Sequence, residues 1–232
     1  EYYWRFGDEI VLDASRFVIT GSRWQRVSDT SASGGAAVVN PDWQQPKAST
    51  ASASPASYIE ARFQAAAGVP YRFWIRMRAE EDSWTNDAIF VQFSGAVTSG
   101  DVPVNRIGTT DAMGVVLEDG YGAGVRGWGW ADGGYGTLAG PIYFNGDGEQ
   151  RIRIQQRQDG VRIDQVVISA GAYATAAPGP AKDDTTTVPL FASDARGAVT
   201  QHVYRAPGLF PVELIVLDGG AQSTAATTAT IR

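Results

Sequence analysis

An all-β chain folded as an antiparallel sandwich is what the sequence predicts, and three observations predict it. Apolar and polar side chains alternate with a period of two in residues 58–64, where Ile59, Ala61 and Phe63 interleave with Glu60, Arg62 and Gln64. The same alternation sets Tyr71, Phe73, Ile75 and Met77 against Arg72, Trp74, Arg76 and Arg78. No run of about ten or more residues shows a helical period with caps at its ends. Composition agrees: 27 glycines, 11% aromatic residues and 19% charged residues suit a turn-rich β protein. With 232 residues, 44% of them apolar, the chain can build one large β domain, or one domain with a smaller partner, around a sizeable core.

Taken in order, residues 2–8 read as a short aromatic strand ending in a Gly7-Asp8 turn. Residues 9–14 and 24–27 are strand candidates, and the turn-rich stretch 28–35 follows the second. The apolar run 36–39 is stopped by Asn40-Pro41-Asp42, and 48–57 is small and polar enough for a surface loop. The runs 58–64 and 71–78, joined through Gly68 and Pro70, predict a hairpin. Ile89, Val91 and Phe93 repeat the alternation before Ser94-Gly95, and 141–144 is a brief apolar run. Residues 151–158 and 161–169 flank Asp159-Gly160, a pair that predicts a second hairpin. The segment 170–189, with Pro178, Pro180 and Pro189, reads as a linker or as a strap over the surface. Phe210, Val212, Leu214 and Val216 alternate again, and 225–231 closes the chain as a Thr-rich strand.

The formal net charge of −6 argues against nucleic acid or an anionic membrane surface as the main partner. There are no cysteines, hence no disulfides and no thiolate metal sites. The lone histidine, His202, reads as structural, a Cys-His nucleophile is excluded, and a His-rich zinc site is disfavoured. No run approaches the roughly 18 apolar residues of a membrane span. Few lysines among many Ser, Thr, Gly and Ala fit a secreted or cell-surface protein, in which case this is a processed chain.

Residues 120–136 carry glycine at nearly every second position together with Trp128, Trp130, Tyr121 and Tyr135. Glycine forfeits packing and backbone entropy, so this stretch is expected to be a loop rather than a regular strand. Its aromatic faces, with Glu118, Asp119 and Asp132 beside them as acceptors, have the chemistry that a sugar ring needs: C–H faces stack and hydroxyls bond sideways. The alternative is that Trp128 and Trp130 plug the end of a sandwich core. Trp84, Asn86 and Asp87 place a ring, an amide and a carboxylate on a loop between two strands, where ligand contact competes with covering a core edge. The arginines of 72–78 and 151–162 read as a solvated sheet face with cross-strand charge pairs, and alternatively as a surface for an acidic polysaccharide.

Residues 9–188 resemble the non-catalytic carbohydrate-binding modules of the galactose-binding-like type, families 6 and 35. The likeness rests on Ile10-Val11-Leu12-Asp13-Ala14, Ser33-Gly34-Gly35, the strand from Gly68 through Arg76, and the closing run from Gly160 through Ile168. The chain is also similar to an uncharacterised group of secreted modules carrying Trp84-Thr85-Asn86-Asp87, Arg106-Ile107-Gly108-Thr109-Thr110 and Gly127-Trp128-Gly129-Trp130. The resemblance implies a jelly-roll sandwich that binds sugars at the loops of one end. It also implies a structural calcium between the opening and closing strands, with Glu9, Asp13 and Asp164 as carboxylate ligands. Asp13 stands where those families place a glutamate, and pairing of these carboxylates with arginines is the alternative.

The two chain ends carry a second resemblance. Residues 202–220, beginning His202-Val203-Tyr204-Arg205, are similar to the second half of a PKD-type immunoglobulin-like domain, and Tyr3-Trp4-Arg5-Phe6-Gly7-Asp8 is similar to the strand that precedes it. The implied organisation is a carbohydrate-binding-like sandwich at 9–188 inserted in a PKD-like half-domain made of 1–8 and 189–232. The expected function is non-catalytic extracellular binding of a polysaccharide or glycan through Trp84, Asn86, Asp87, Glu118, Trp128, Trp130, Asp132 and Tyr135. The alternative is a structural subunit of a surface layer, stalk or filament that contacts other copies or other domains. A glycan-cleaving enzyme is the third reading, with Glu118 and Asp87 as its carboxylates.

Overall fold

Alternation fixes which face of each strand is buried, and the computed structural model places those faces in a two-sheet sandwich. It describes residues 2–6, 9–136, 138–189, 195–196, 208–218 and 221–231. His202 and most of the motif that opens with it lie outside the described residues. In chain order the strands are β1 (Tyr2–Phe6), β2 (Glu9–Asp13), β3 (Val18–Thr20), β4 (Gln25–Ser28), β5 (Ala36–Asn40), β6 (Tyr58–Ala65), β7 (Arg72–Ala79) and β8 (Ala88–Phe93). They continue as β9 (Ala96–Val97), β10 (Met113–Val116), β11 (Trp128–Ala131), β12 (Tyr143–Phe144), β13 (Gly148–Gln156), β14 (Val161–Ser169), β15 (Ala195–Arg196), β16 (Gly208–Asp218) and β17 (Ala221–Ile231). Only short 3₁₀ turns accompany them among the described residues, and no helix there is long and apolar enough to cross a membrane.

One sheet has the order β10-β8-β13-β6-β3 and the other β11-β7-β14-β5-β4, with antiparallel pairing throughout. Ile59, Phe63, Ile89, Val91, Phe93, Ile152 and Ile154 of the first sheet meet Phe73, Ile75, Met77, Ile163, Val166 and Ile168 of the second in one core. Phe63, Phe73, Phe93 and Phe144 meet there edge to face. Strand β14 is central. Along one edge it pairs with β7; along the other, residues 161–163 pair with β5 and 165–169 with β2. Asp164 sits at the resulting irregularity.

Both expected hairpins are instead arches. Strand β6 pairs with β13 and β3, and β7 with β14 and β11, so the turn after Ala65 carries the chain from one sheet to the other. The Asp159-Gly160 turn does the same between β13 and β14. A period of two identifies a half-buried strand and a reversal identifies a turn, yet neither says whether the neighbour lies beside the strand or across the core.

Residues 170–189 are a strap on the outer face of the β11-β7-β14 sheet. Trp74 Nε1 donates to Tyr173 O at 2.7 Å, Trp130 N to Pro180 O at 3.0 Å and Asp184 N to Trp128 O at 2.8 Å. Gln165 and Val188 exchange two further bonds. Beneath the strap Val11, Trp74, Trp130, Val167 and Val188 form a second apolar cluster. Arg76 is enclosed there as well, which corrects the expectation of a solvated arginine face at this position. Its Nη1 reaches Asp164 Oδ2 at 2.6 Å, its Nε reaches Asp184 Oδ2 at 2.5 Å, and its guanidinium lies over the Trp128 ring. On the opposite sheet the expected cross-strand pairs form, Arg151 and Arg153 both to Glu60.

The two chain ends meet in a separate four-stranded sheet, order β15-β1-β16-β17, with Tyr2, Trp4 and Phe6 opposite Val216, Leu214 and Val212.

Candidate functional site

Strand directions gather four connections at one end of the sandwich: residues 41–47 after β5, the β7–β8 loop, the β10–β11 loop and the Gln158-Asp159-Gly160 turn. Side chains that would otherwise be desolvated orphans tie these loops together. Asp159 Oδ2 accepts from Trp43 N at 2.8 Å and Gln45 N at 3.0 Å. Gln158 donates to Trp84 O and accepts from Asp87 N. Asn86 Nδ2 donates to Asp42 Oδ2 and Glu80 O, while Asp87 Oδ2 accepts from Glu118 N at 3.1 Å. Gly160 has φ of 72°, and a Cβ there would stand 2.5 Å from the Asn86 side chain, so the turn has room only for glycine.

The outcome is three exposed rings on three cross-tied loops. Trp84 is 65% exposed, Trp43 51% and Tyr121 94%. Trp43 escaped the sequence reading because it follows Asn40-Pro41-Asp42, a stretch that signals only a turn; a lone tryptophan in a polar loop was the available signal. Asn86 and Asp87, expected as ligand contacts, are buried loop ties instead, Asn86 Nδ2 reaching Asp42 and Asp87 Oδ2 accepting from Glu118 N. Burial holds the Asp87 carboxyl up at about 6, with the nearby Glu118 charge adding to the rise and the Glu118 N–H, Lys47 and Arg157 opposing it.

Trp128 and Trp130 do not stand out on a loop. They form β11 opposite Arg78 and Arg76, and are 4% and 3% exposed. Their indole N–H groups donate to Ser31 Oγ at 2.9 Å and Thr186 O at 3.4 Å. The glycine between them serves the strap, since a Cβ on Gly129 would lie 1.9 Å from Ala181 O.

Glu118, Trp130 and Asp132 are nonetheless brought together. With Trp74, Asp119, Leu138 and the glycines that follow Asp132 they line a cavity of about 240 Å³ beside β11. Glu118 Oε1 accepts from Gly124 N at 2.7 Å, and Asp132 Oδ2 accepts from Ala139 N at 2.8 Å. Arg72 Nη1 stands 3.8 Å from Asp132 Oδ2 and makes no hydrogen bond. Burial raises the Asp132 carboxyl above its ordinary value, against the lowering effects of the Ala139 N–H and Arg72. Tyr135 is half exposed on the loop over this cavity.

The carboxylates expected to hold calcium do not assemble into a donor set that fits the ion. Glu9 Oε1 accepts from Ser169 Oγ and Ala172 N, and Asp13 Oδ1 accepts from Ser15 N and Oγ as the cap of a 3₁₀ turn. They lie four positions apart on β2, roughly 13 Å along the strand. Asp164 accepts from Ser33 N at 2.7 Å and faces Arg76, so a guanidinium occupies its coordination side. Burial lifts Asp164 to about 6 although Arg76 pulls it down; Asp13 adds to the rise. Among the described residues no group of three or more His, Cys, Asp or Glu is arranged to hold a metal.

No model of a known protein family matches the chain, and no curated protein matches it. Solved structures similar to it include the Podospora anserina GH26-CBM35 β-(1,4)-mannanase, with a TM-score of 0.45 and 13% identity over 75% of this chain and 30% of that one. The C-terminal CBM6 of LamC from Zobellia galactanivorans gives 0.42 and 12%, over 69% of this chain and 98% of that one. A family 35 carbohydrate binding module from Clostridium thermocellum gives 0.36 and 17%, over 69% and 98%. The chain thus spans under a third of the mannanase and nearly the whole of the two isolated modules.

Proposed function

We propose that this chain binds carbohydrate without cleaving it, in a secreted or cell-surface setting, through the rings at the loop end of the sandwich. The observation that carries the reading is the exposure of Trp43, Trp84 and Tyr121 on loops held to one another by part-buried hydrogen bonds. Exposed aromatic faces on a rigid support lose little entropy on stacking against a sugar ring, and the carboxylates of Asp42, Glu80, Glu81 and Asp119 supply acceptors nearby. Contacts of this kind are shallow, so attachment to a larger polypeptide or repetition raises the effective affinity. Retention on a panel of insoluble polysaccharides tests the reading: Trp43→Ala with Trp84→Ala lowers retention by about tenfold or more while the fold stays intact. Unchanged retention would overturn it.

The domain organisation proposed with this function keeps 9–188 as the binding module and joins 1–8 to 189–232 as a PKD-like half. Its support is the register of β1 with β16. A structural role is the second reading, favoured by β17, whose eleven residues pair with β16 alone among the described strands. Light scattering on the purified chain separates the two: a monomer fits the module, a growing assembly fits the subunit.

A further inference from the structure

Strand β7 closes its outward row with Arg78, which stands directly opposite Trp128 of β11 and Arg162 of β14. Two arginines set opposite each other repel, and only one of these has an anion, Arg162 Nη1 lying 2.6 Å from Asp29 Oδ2. The neighbouring cations are matched as well, Arg76 by Asp164 and Asp184 and Arg126 by Asp183. Arg78 is exposed and, among the described residues, has neither an ion pair nor a hydrogen bond. Glu80 and Glu81 share a small recess with Arg78 and Arg162 but make no ion pair with either. On its other side Arg78 borders a groove of about 730 Å³, lined also by Trp128, residues 30–34 and the strap residues Asp183, Asp184, Thr185 and Thr187. Both strap carboxylates are held by arginines, whereas the hydroxyls of Thr30, Thr185 and Thr187 have no partner among the described residues. Trp128 packs with Ala32 and Ala37 and lies against the Arg76 guanidinium, so it offers the groove little stacking surface.

We infer that this groove binds an acidic sugar unit, a ring bearing one carboxylate or sulfate group, with its oxyanion on Arg78 and its hydroxyls among the threonines. A guanidinium presents parallel N–H donors that match either oxyanion, and an anion set against Arg78 also relieves its repulsion with Arg162. The free hydroxyls along the rim donate and accept, as the hydroxyls of a sugar ring do, and an apolar side chain would leave them unmet. The groove's volume lies within the range of small-ligand sites, about 300–1,000 Å³. It differs in kind from the loop end, where exposed rings stack; here charge and hydroxyls do the selecting. Because the chain carries a net charge of −6, recognition depends on this short-range fork rather than on long-range attraction, and salt weakens it.

None of Trp43, Trp84 and Tyr121 lines the groove, so this inference and the loop-end reading fail separately. The test is a near-neutral NMR titration of the intact chain, following the Trp128 indole N–H and the Arg78 Nε–H. The probes are glucuronate, a sulfate ester of glucose, glucose and acetate. Saturable shifts from an acidic sugar, with much smaller ones from glucose and acetate at the same concentration, support the site. A response to glucuronate alone identifies the recognised group as a carboxylate, and a response to the ester alone identifies it as a sulfate. Arg78→Gln alters an exposed side chain, so it is expected to melt like wild type while weakening the acidic sugar by about tenfold or more. Arg78→Lys keeps the charge without the fork and is expected to recover only part of that loss. No shift from either acidic sugar, shifts from glucose or acetate that match theirs, or undiminished binding by Arg78→Gln would overturn the inference.

Discussion

Two regions of this molecule use the same residue types to opposite ends. On the outer face of the β11-β7-β14 sheet, Trp74, Trp128, Trp130 and Arg76 lie under the strap and are buried. At the loop end Trp43, Trp84 and Tyr121 face solvent. The difference is whether another segment covers them. Where the strap supplies carbonyls to the indole N–H groups of Trp74 and Trp130 and the Asp184 carboxylate to the guanidinium, aromatic area becomes structure; where loops tie only to one another, it stays free for a ligand.

The comparison breaks most readily at Arg76. Replacing it with Met leaves Asp164 and Asp184 buried without their cation, a loss expected at about 3–5 kcal/mol, and denaturant melts measure it. Hydrogen exchange is expected to rise across 170–189 in that variant. Next comes Trp130→Ala, expected to cost about 3–5 kcal/mol through lost packing and the cavity left behind, set against Trp84→Ala, expected to stay within about 0.5 kcal/mol of wild type. A Trp130→Ala protein as stable as wild type would erase the distinction between the regions.

A smaller effect sharpens the account of the loop ties. Asp87 has its carboxyl raised from 3.8 to about 6 on folding, chiefly by desolvation. A raised folded value means that the native state favours the protonated form. The stabilisation is therefore full below about pH 4 and is lost as pH climbs through about 6, by up to roughly 3 kcal/mol. Asp87→Asn keeps an acceptor for Glu118 N without the charge, so its melting temperature should fall less than wild type's across that window. Parallel profiles would show that Asp87 is better solvated than its burial implies. The smallest effect belongs to Tyr121→Ala, which should leave melting unchanged and trim polysaccharide retention only slightly.

Strand positions were legible because alternation depends only on one buried face, as in β6, where Ile59, Ala61 and Phe63 point inward. Strand partners were not: nothing local distinguishes an Asp-Gly hairpin from an Asp159-Gly160 arch that crosses the core. Strand β7 misled more sharply, since Trp74 and Arg76 sit at the outward positions of a regular alternation and are buried only because a segment about a hundred residues later lies over them. The same distant cover turned the Gly-Trp-Gly-Trp pattern from an expected platform into a strand whose glycine admits the strap. At the candidate site Trp84 was legible as an exposed loop ring. Trp43 was not, because its place beside the Trp84 loop depends on Asp159 and on the Asn86–Asp42 bond, contacts far apart in sequence.

The most direct test of the central claim compares wild type, the Trp43→Ala/Trp84→Ala double variant and Trp130→Phe for retention on one panel of polysaccharides, each melted in parallel. The account predicts that wild type and Trp130→Phe are retained by the same polysaccharide and that the double variant is released while melting like wild type. Retention of the double variant at the wild-type level would contradict it.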